Sequence, residues 1–390
     1  MRKKVSVRTL VLGCILCLLA GGLLTFTGLL WAAGPEGVTL LQTQMRIKNR
    51  FVGDYDPALM QQAAGKAMVD SLGDRWSRYL TPQELKQLRT TRKNSYVGIG
   101  VTVSDEERGL LIAKVSPGGP AEKAGLQAGE IICAADGLAY ASENWDELME
   151  ALRGEEGTSV TLEVLDQVGN VRTVEVTRGK VSSVTVRWEM LEGDVALLTI
   201  SNFYTGAAKQ METCLEELQE AGARALIIDV RNDPGGYLKE LSKILDMLLP
   251  EGEMFRTESY SGAVRVYTSD AACVDLPMAV LVNAYTYSAA ELLAAQVQET
   301  VGAPLVGTRT VGKGYAQTLY PLWDGSAINL SDARYFTGSG RSLIGTGLTP
   351  DPYVEMSYTR QAELMMEELP REDDNQLQAA LRVLEARSGT

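Results

Sequence analysis

The chain has 390 residues, 45% of them hydrophobic and 22% charged, with a net charge of −13. That length predicts two or three folded units with a sizeable core. The acidic balance excludes nucleic acid as the main partner, because phosphate binding needs clustered Lys and Arg. There is no histidine, which removes Ser-His-Asp and Cys-His catalysis, imidazole-dependent zinc sites and histidine pH switches. Any hydrolase built on this chain needs another base. The cysteines, Cys14, Cys17, Cys133, Cys214 and Cys273, imply neither a disulfide framework nor a metal cluster, and no cofactor is expected.

Arg2, Lys3, Lys4 and Arg8 precede an uncharged stretch over residues 9–35, rich in Leu and Gly. A helix of about 20 apolar residues crosses a bilayer. The pattern therefore predicts a cytoplasmic tail over 1–8 and a transmembrane signal anchor over 9–33, with the rest outside. The expected location is a cell membrane, single-pass, with an extracytoplasmic body. Secretion after signal cleavage is the competing reading, with Leu30-Trp31-Ala32-Ala33 as a poor cleavage site.

Residues 38–94 read as mostly helical. Thr81-Pro82-Gln83-Glu84 is a capping box with proline at the first helical position. Leu41, Met45, Ile47 and Val52 have the spacing of a packing face. From 96 to 180 the texture changes to short strands, glycines and turns. Strands are predicted over 97–103, 109–115, 131–134, 159–164 and 172–177, with helices over 120–128 and 145–152. From 181 to 357 apolar strands (196–200, 225–230, 278–283) alternate with helices (207–221, 237–249, 289–300), the rhythm of a layered α/β core. A charged helical tail occupies 358–390.

Three segments could carry chemistry. Ser288-Ala289-Ala290-Glu291 opens a helix directly after a buried strand, which sets a serine hydroxyl at the positive end of the helix dipole. The same four residues also read as a plain capping box. Gly312-Lys313-Gly314-Tyr315-Ala316-Gln317 lies in a stretch, 304–322, without an acidic residue. A lysine works as a base near neutral pH only if burial lowers its pKa by roughly three units, about 4 kcal/mol. In an extended segment Lys313 and Gln317 share a face, where the amide could orient the amine; a solvated lysine in a glycine loop is the alternative. Asp229-Val230-Arg231-Asn232-Asp233-Pro234-Gly235-Gly236 is a strand running into a tight loop, whose N–H groups could pair with that of Ala289 as an oxyanion hole. It could equally be an ordinary connection.

In the 96–180 unit, Gly98-Ile99-Gly100-Val101 could present N–H groups to a peptide carboxylate beside a strand edge open to β-augmentation. It is followed by Val115-x-Pro117-Gly118-Gly119-Pro120-Ala121, Ala124-Gly125-Leu126-x-Ala128-Gly129-Glu130-Ile131-Ile132 and Asp136-Gly137. This order resembles the PDZ domain of bacterial processing proteases. The whole from about residue 40 to 355 resembles the carboxyl-terminal processing (tail-specific) proteases. Leu72-Gly73-Asp74-Arg75-Trp76-Ser77-Arg78-Tyr79-Leu80, Thr337-Gly338-Ser339-Gly340-Arg341-Ser342 and Gly347-Leu348-Thr349-Pro350-Asp351 extend the likeness.

The resemblance implies a crotonase/ClpP-like layered α/β core with an inserted, mostly-β PDZ domain. It further implies a serine endopeptidase acting on proteins with accessible C-terminal or unstructured segments. Ser288 would be the nucleophile, Lys313 the base and Gln317 its orienting residue, with Ala289 and Gly235 or Gly236 forming the oxyanion hole. A homodimer through the helical termini is implied as well. Departures from the family pattern are Tyr287 for alanine, Ala290 for serine, Gly338 for proline and Asp233 for asparagine. Two rival readings are a catalytically silent PDZ scaffold at the membrane and an acyl-thioester hydrolase of the related superfamily.

Overall fold

The computed structural model describes residues 7–388 and divides into two compact units, Met1–Gly65 and Lys66–Thr390. The first is helical. Its helix Val7–Arg50 bends where Gly34 takes φ 66° ahead of Pro35, which has no N–H to give the preceding turn. The expected membrane span is not found: among the described residues, no helix is long and apolar enough to cross a membrane. The apolar run is diluted by Gly13, Gly21, Gly22 and Gly28, which bury no side chain. It also holds Thr25, whose hydroxyl must be satisfied by the carbonyls of Gly21 and Gly22 (3.0 and 2.9 Å). The transmembrane helix over 9–33 is thereby corrected. The single-pass cell-membrane location with an extracytoplasmic body falls with it. Arg2, Lys3 and Lys4 of the expected cytoplasmic tail lie outside the described residues.

Within Lys66–Thr390, an inserted module hangs from an antiparallel pair, Ser95–Gly98 against Gly179–Ser182. Its sheet runs in the order Val101–Glu106, Gly109–Val115, Ile131–Ala135, Ser159–Leu165, Val171–Thr177. Period-two alternation turns Val160, Leu162 and Val164 inward against Leu110, Ile112 and Leu148. The strand expected over 97–103 breaks in two because Ile99 turns into this core, 1% exposed. The helix expected over 120–128 stops at Lys123, since Gly125 takes φ 78° just beyond its end.

The α/β core has a five-stranded sheet ordered Val186–Leu191, Val195–Ile200, Ala225–Asp229, Met278–Val282, Leu305–Gly307. All neighbours pair in parallel except the first, antiparallel strand. Met278–Val282 is apolar throughout, and Ala225–Asp229 is apolar up to Asp229, because both faces are covered. On one face Leu198, Ile228 and Val280 meet the helices Ala207–Glu220, Leu238–Leu248 and Ala289–Val301. On the other, Leu197, Ile227 and Leu281 meet Leu377, Ala380 and Leu384. The helix Asn375–Ser388 is thus a structural layer despite its charge. Its start is clamped by Arg231, buried between Asp229 (2.7 Å) and Asp374 (2.8 Å).

A second, antiparallel sheet was not anticipated. It joins Arg78–Leu80, Ala327–Thr337, Gly252–Ser259 and Val264–Ser269, with Tyr315–Pro321 also paired to Ala327–Thr337. Residues 78–80, expected within a helical region, are held as strand by pairing with Ala327–Asn329, some 250 residues along the chain.

Candidate active site

Two loops leave the carboxyl ends of adjacent parallel strands, the position where open α/β sheets form their sites. One follows Ala225–Asp229, the other Met278–Val282. They are laced together. The Asn283 amide donates to Asn232 Oδ1 (2.8 Å), the Asn232 N–H to Asn283 Oδ1 (3.0 Å), and the Thr286 hydroxyl to the Val230 carbonyl (2.8 Å).

The second loop delivers Ser288 at φ 63°, ψ −123°, a sharp strand-to-helix turn of the kind that can expose a nucleophile. Such a conformation costs about 1–3 kcal/mol in a non-glycine residue. The following helix holds it: Leu292, Leu293 and Val297 are fully buried, each worth about 1.5–3 kcal/mol. The Ser288 hydroxyl makes no cap hydrogen bond to its helix. Glu291 alone supplies the capping interaction, accepting from the Ser288 N–H (3.2 Å).

The buried Glu291 carboxylate also accepts from Gly312 N–H (2.7 Å), Lys313 N–H (2.9 Å) and the Thr310 hydroxyl. It therefore fixes the lysine segment against the serine elbow. Burial raises its pKa against the pull of those donors. Lys313 is 8% exposed, and its amine donates to Gln317 Oε1 (2.8 Å). The Gln317 amide donates in turn to the Trp76 carbonyl. Among the described residues no hydrogen bond joins the Lys313 amine to the Ser288 hydroxyl. The amine lies 4.6 Å from the Trp76 ring centre and 5.8 Å from that of Tyr287, and those two rings stack. Burial, with the nearby charge of Arg92 next, lowers the Lys313 pKa to about 8. Tyr335, 1% exposed, donates to the Lys313 carbonyl.

Gly235 and Gly236 pack tightly here. A Cβ on Gly235 would fall 2.7 Å from the Ala289 nitrogen, and one on Gly236 2.3 Å from the Phe203 oxygen. The Gly235 N–H is spent on Asp233 Oδ1 (2.6 Å). Asp233 is fully buried, its other carboxylate oxygen has no partner, and burial pushes its pKa well up. Ser288, Lys313, Gln317 and Gly236 line one cavity of 540 Å³. Gly98, Ile99, Gly100 and Val101 belong to the inserted module, whose Val101–Glu106 is a sheet-edge strand.

Sequence reasoning overlooked Trp76, Arg92 and Tyr335, which converge on the lysine only through tertiary pairing. Glu291 was visible as a capping-box residue, but not its grip on residues 310–313.

The family model for peptidase family S41 matches residues 194–354, and that for a PDZ domain residues 111–166. The carboxyl-terminal-processing protease of Synechocystis is 34% identical over 325 residues, covering 81% of this chain and 75% of that one. This chain belongs to the S41 family of carboxyl-terminal processing serine proteases. The carboxy-terminal processing protease CtpA of Bacillus subtilis is 31% identical over 314 residues, covering 80% of this S41 chain and 67% of the relative. A solved S41-type structure from Bacteroides fragilis shares the fold, with a TM-score of 0.50 at 22% identity, covering 87% of this chain and 92% of that one. This S41 protease is thus a serine-type peptidase with a PDZ domain.

Proposed function

We propose that this protease cuts peptide bonds with Ser288 as nucleophile and Lys313 as general base, Gln317 orienting the amine. The neutral amine takes the Ser288 proton as Oγ attacks a peptide carbonyl, and the oxyanion forms against backbone N–H groups. Of the glycine pair, Gly236 is the better donor beside Ala289, because Gly235 already serves Asp233. The amine leaves with the proton Lys313 received, and water then hydrolyses the acyl-enzyme.

The observation that carries this reading is a lysine 8% exposed, with a pKa lowered to about 8, in one cavity with a serine on a strained elbow. At pH 7 about a tenth of such an amine is neutral, against less than a thousandth of a solvated lysine. Cleavage of unstructured protein and tailed peptides by the full chain is expected to vanish in Ser288→Ala and in Lys313→Arg. Parental rates in either variant would refute the pair.

The PDZ domain, in the same proposal, engages the C-terminal or unstructured segment of a protein substrate through Gly98–Val101 and the free edge of Val101–Glu106. Its flanking residues, Ser95 and Ser182, face each other across a strand pair, so removing residues 96–180 leaves ends that can be rejoined. That deletion is expected to change basal cleavage or its response to peptide; unchanged kinetics would reject a gating role. A homodimer through the helical termini belongs to the same reading and is checked by sedimentation.

A further inference from the structure

The charge around the cutting pair runs against that of the whole molecule. The chain carries −13 overall, yet the cavity holding Ser288 and Lys313 is lined by Arg75, Arg78 and Arg92 and by no Asp or Glu. Among the described residues none of the three arginines has a carboxylate within 4.0 Å. Two of them rest on aromatic faces instead: Arg75 lies 4.2 Å from the Trp76 ring centre and Arg92 5.7 Å from that of Tyr237.

The nearby acids are occupied. Asp74 accepts from the N–H groups of Trp76 and Ser77 and from the Ser77 hydroxyl. Glu84 closes the capping box of Thr81. Glu291 is taken up by the lysine segment, and Asp233 is sealed beneath the loop. Three guanidinium groups with no carboxylate in contact, Arg75 and Arg78 exposed and Arg92 half-buried, put positive charge on the lining of this cleft where a substrate must lie, and each presents the planar fork that matches a carboxylate.

We propose that the cleft reads carboxylates, so that this protease selects peptide segments with acidic residues beside the bond it cuts. The inference rests on Ser288 and Lys313 being the cutting pair, and names the substrate class of that site. Arg92 serves twice: its charge depresses the Lys313 pKa, and its guanidinium pairs with the substrate. The aromatic faces contact Arg75 and Arg92 without neutralising them.

The test uses matched peptides, Glu or Gln at the positions flanking the cut, each as free acid and C-terminal amide. kcat/KM is measured on the wild-type chain, and Kd by fluorescence anisotropy on Ser288→Ala. Wild type is expected to favour the Glu peptides about tenfold at low salt, the preference shrinking as salt is added. Arg92→Gln with Arg78→Gln should collapse that ratio, and Arg92→Glu should invert it. A side-chain preference that survives amidation makes acidic residues the ligand; one lost on amidation would overturn that choice in favour of the chain end. Equal handling of Glu and Gln peptides by wild type, or a preference indifferent to the arginines, overturns the proposal outright. Because binding to Ser288→Ala needs no cleavage, failure of the cutting pair and failure of the carboxylate reader give different results.

Discussion

A buried lysine poised as a base should burden the fold, and removing it should help. Burial lowers the Lys313 pKa to about 8 in the folded chain, against an ordinary 10.5. Each pKa unit corresponds to about 1.4 kcal/mol, so holding the ammonium in its pocket at pH 7 costs about 3 kcal/mol. The faces of Trp76 and Tyr287 favour the ammonium and return on the order of 1 kcal/mol. Lys313→Met, which keeps most of the apolar stem, is therefore expected to be inactive yet about 2 kcal/mol more stable at pH 7.

The pH dependence identifies the cause. Because the folded pKa lies below the unfolded one, the unfolded chain binds the extra proton between pH 8 and 10.5, and wild-type stability climbs with pH across that window. The advantage of Lys313→Met should shrink by about half at pH 9.5 and vanish above pH 10.5. Urea unfolding of both chains, followed at pH 7 and 9.5, reads the difference directly, since all other titrations are common to the pair. A methionine variant no more stable than wild type, or an advantage constant with pH, would show that the amine is not desolvated. The base assignment would then lose its physical ground.

Three further outcomes follow from the same geometry. Log kcat/KM should rise through a midpoint near pH 8 as Lys313 loses its proton, and a midpoint near the ordinary lysine value would contradict the buried amine. Gly236→Ala places a Cβ 2.3 Å from the Phe203 oxygen and should displace the proposed oxyanion loop, lowering kcat by about 10²–10³ while the far-ultraviolet circular dichroism is unchanged. Asp233 has a raised pKa, so its contribution to stability is present in acid and lost as pH rises; Asp233→Asn should gain on wild type in thermal melts at neutral pH and show little gain near pH 4.

Much of the chemistry could be read along the chain because it is local. The elbow Ser288 to Glu291, the glycine-flanked Lys313 and the Asp233-Pro234-Gly235-Gly236 loop are each contiguous, and their apolar flanks already place them at strand ends. The helix Trp145–Leu152 has its predicted limits because its apolar residues fall on one side and nothing distant competes. The membrane helix expected over 9–33 is not borne out, because among the described residues no helix is long and apolar enough to cross a membrane.

The sequence by itself narrowed which residues could react: with no histidine in the chain, the proposed base is Lys313 and the proposed nucleophile is Ser288 at the head of a helix. Tertiary structure decided the state of those residues. Residues 72–80 carry no sign that Trp76 will cover Lys313, because that contact depends on Arg78–Leu80 pairing with Ala327–Asn329. Nor does the tail announce that Asn375–Ser388 will close the second face of the sheet. Burial, charge proximity and ring contacts depend on distances through space, and those distances are fixed only when strands hundreds of residues apart find their register.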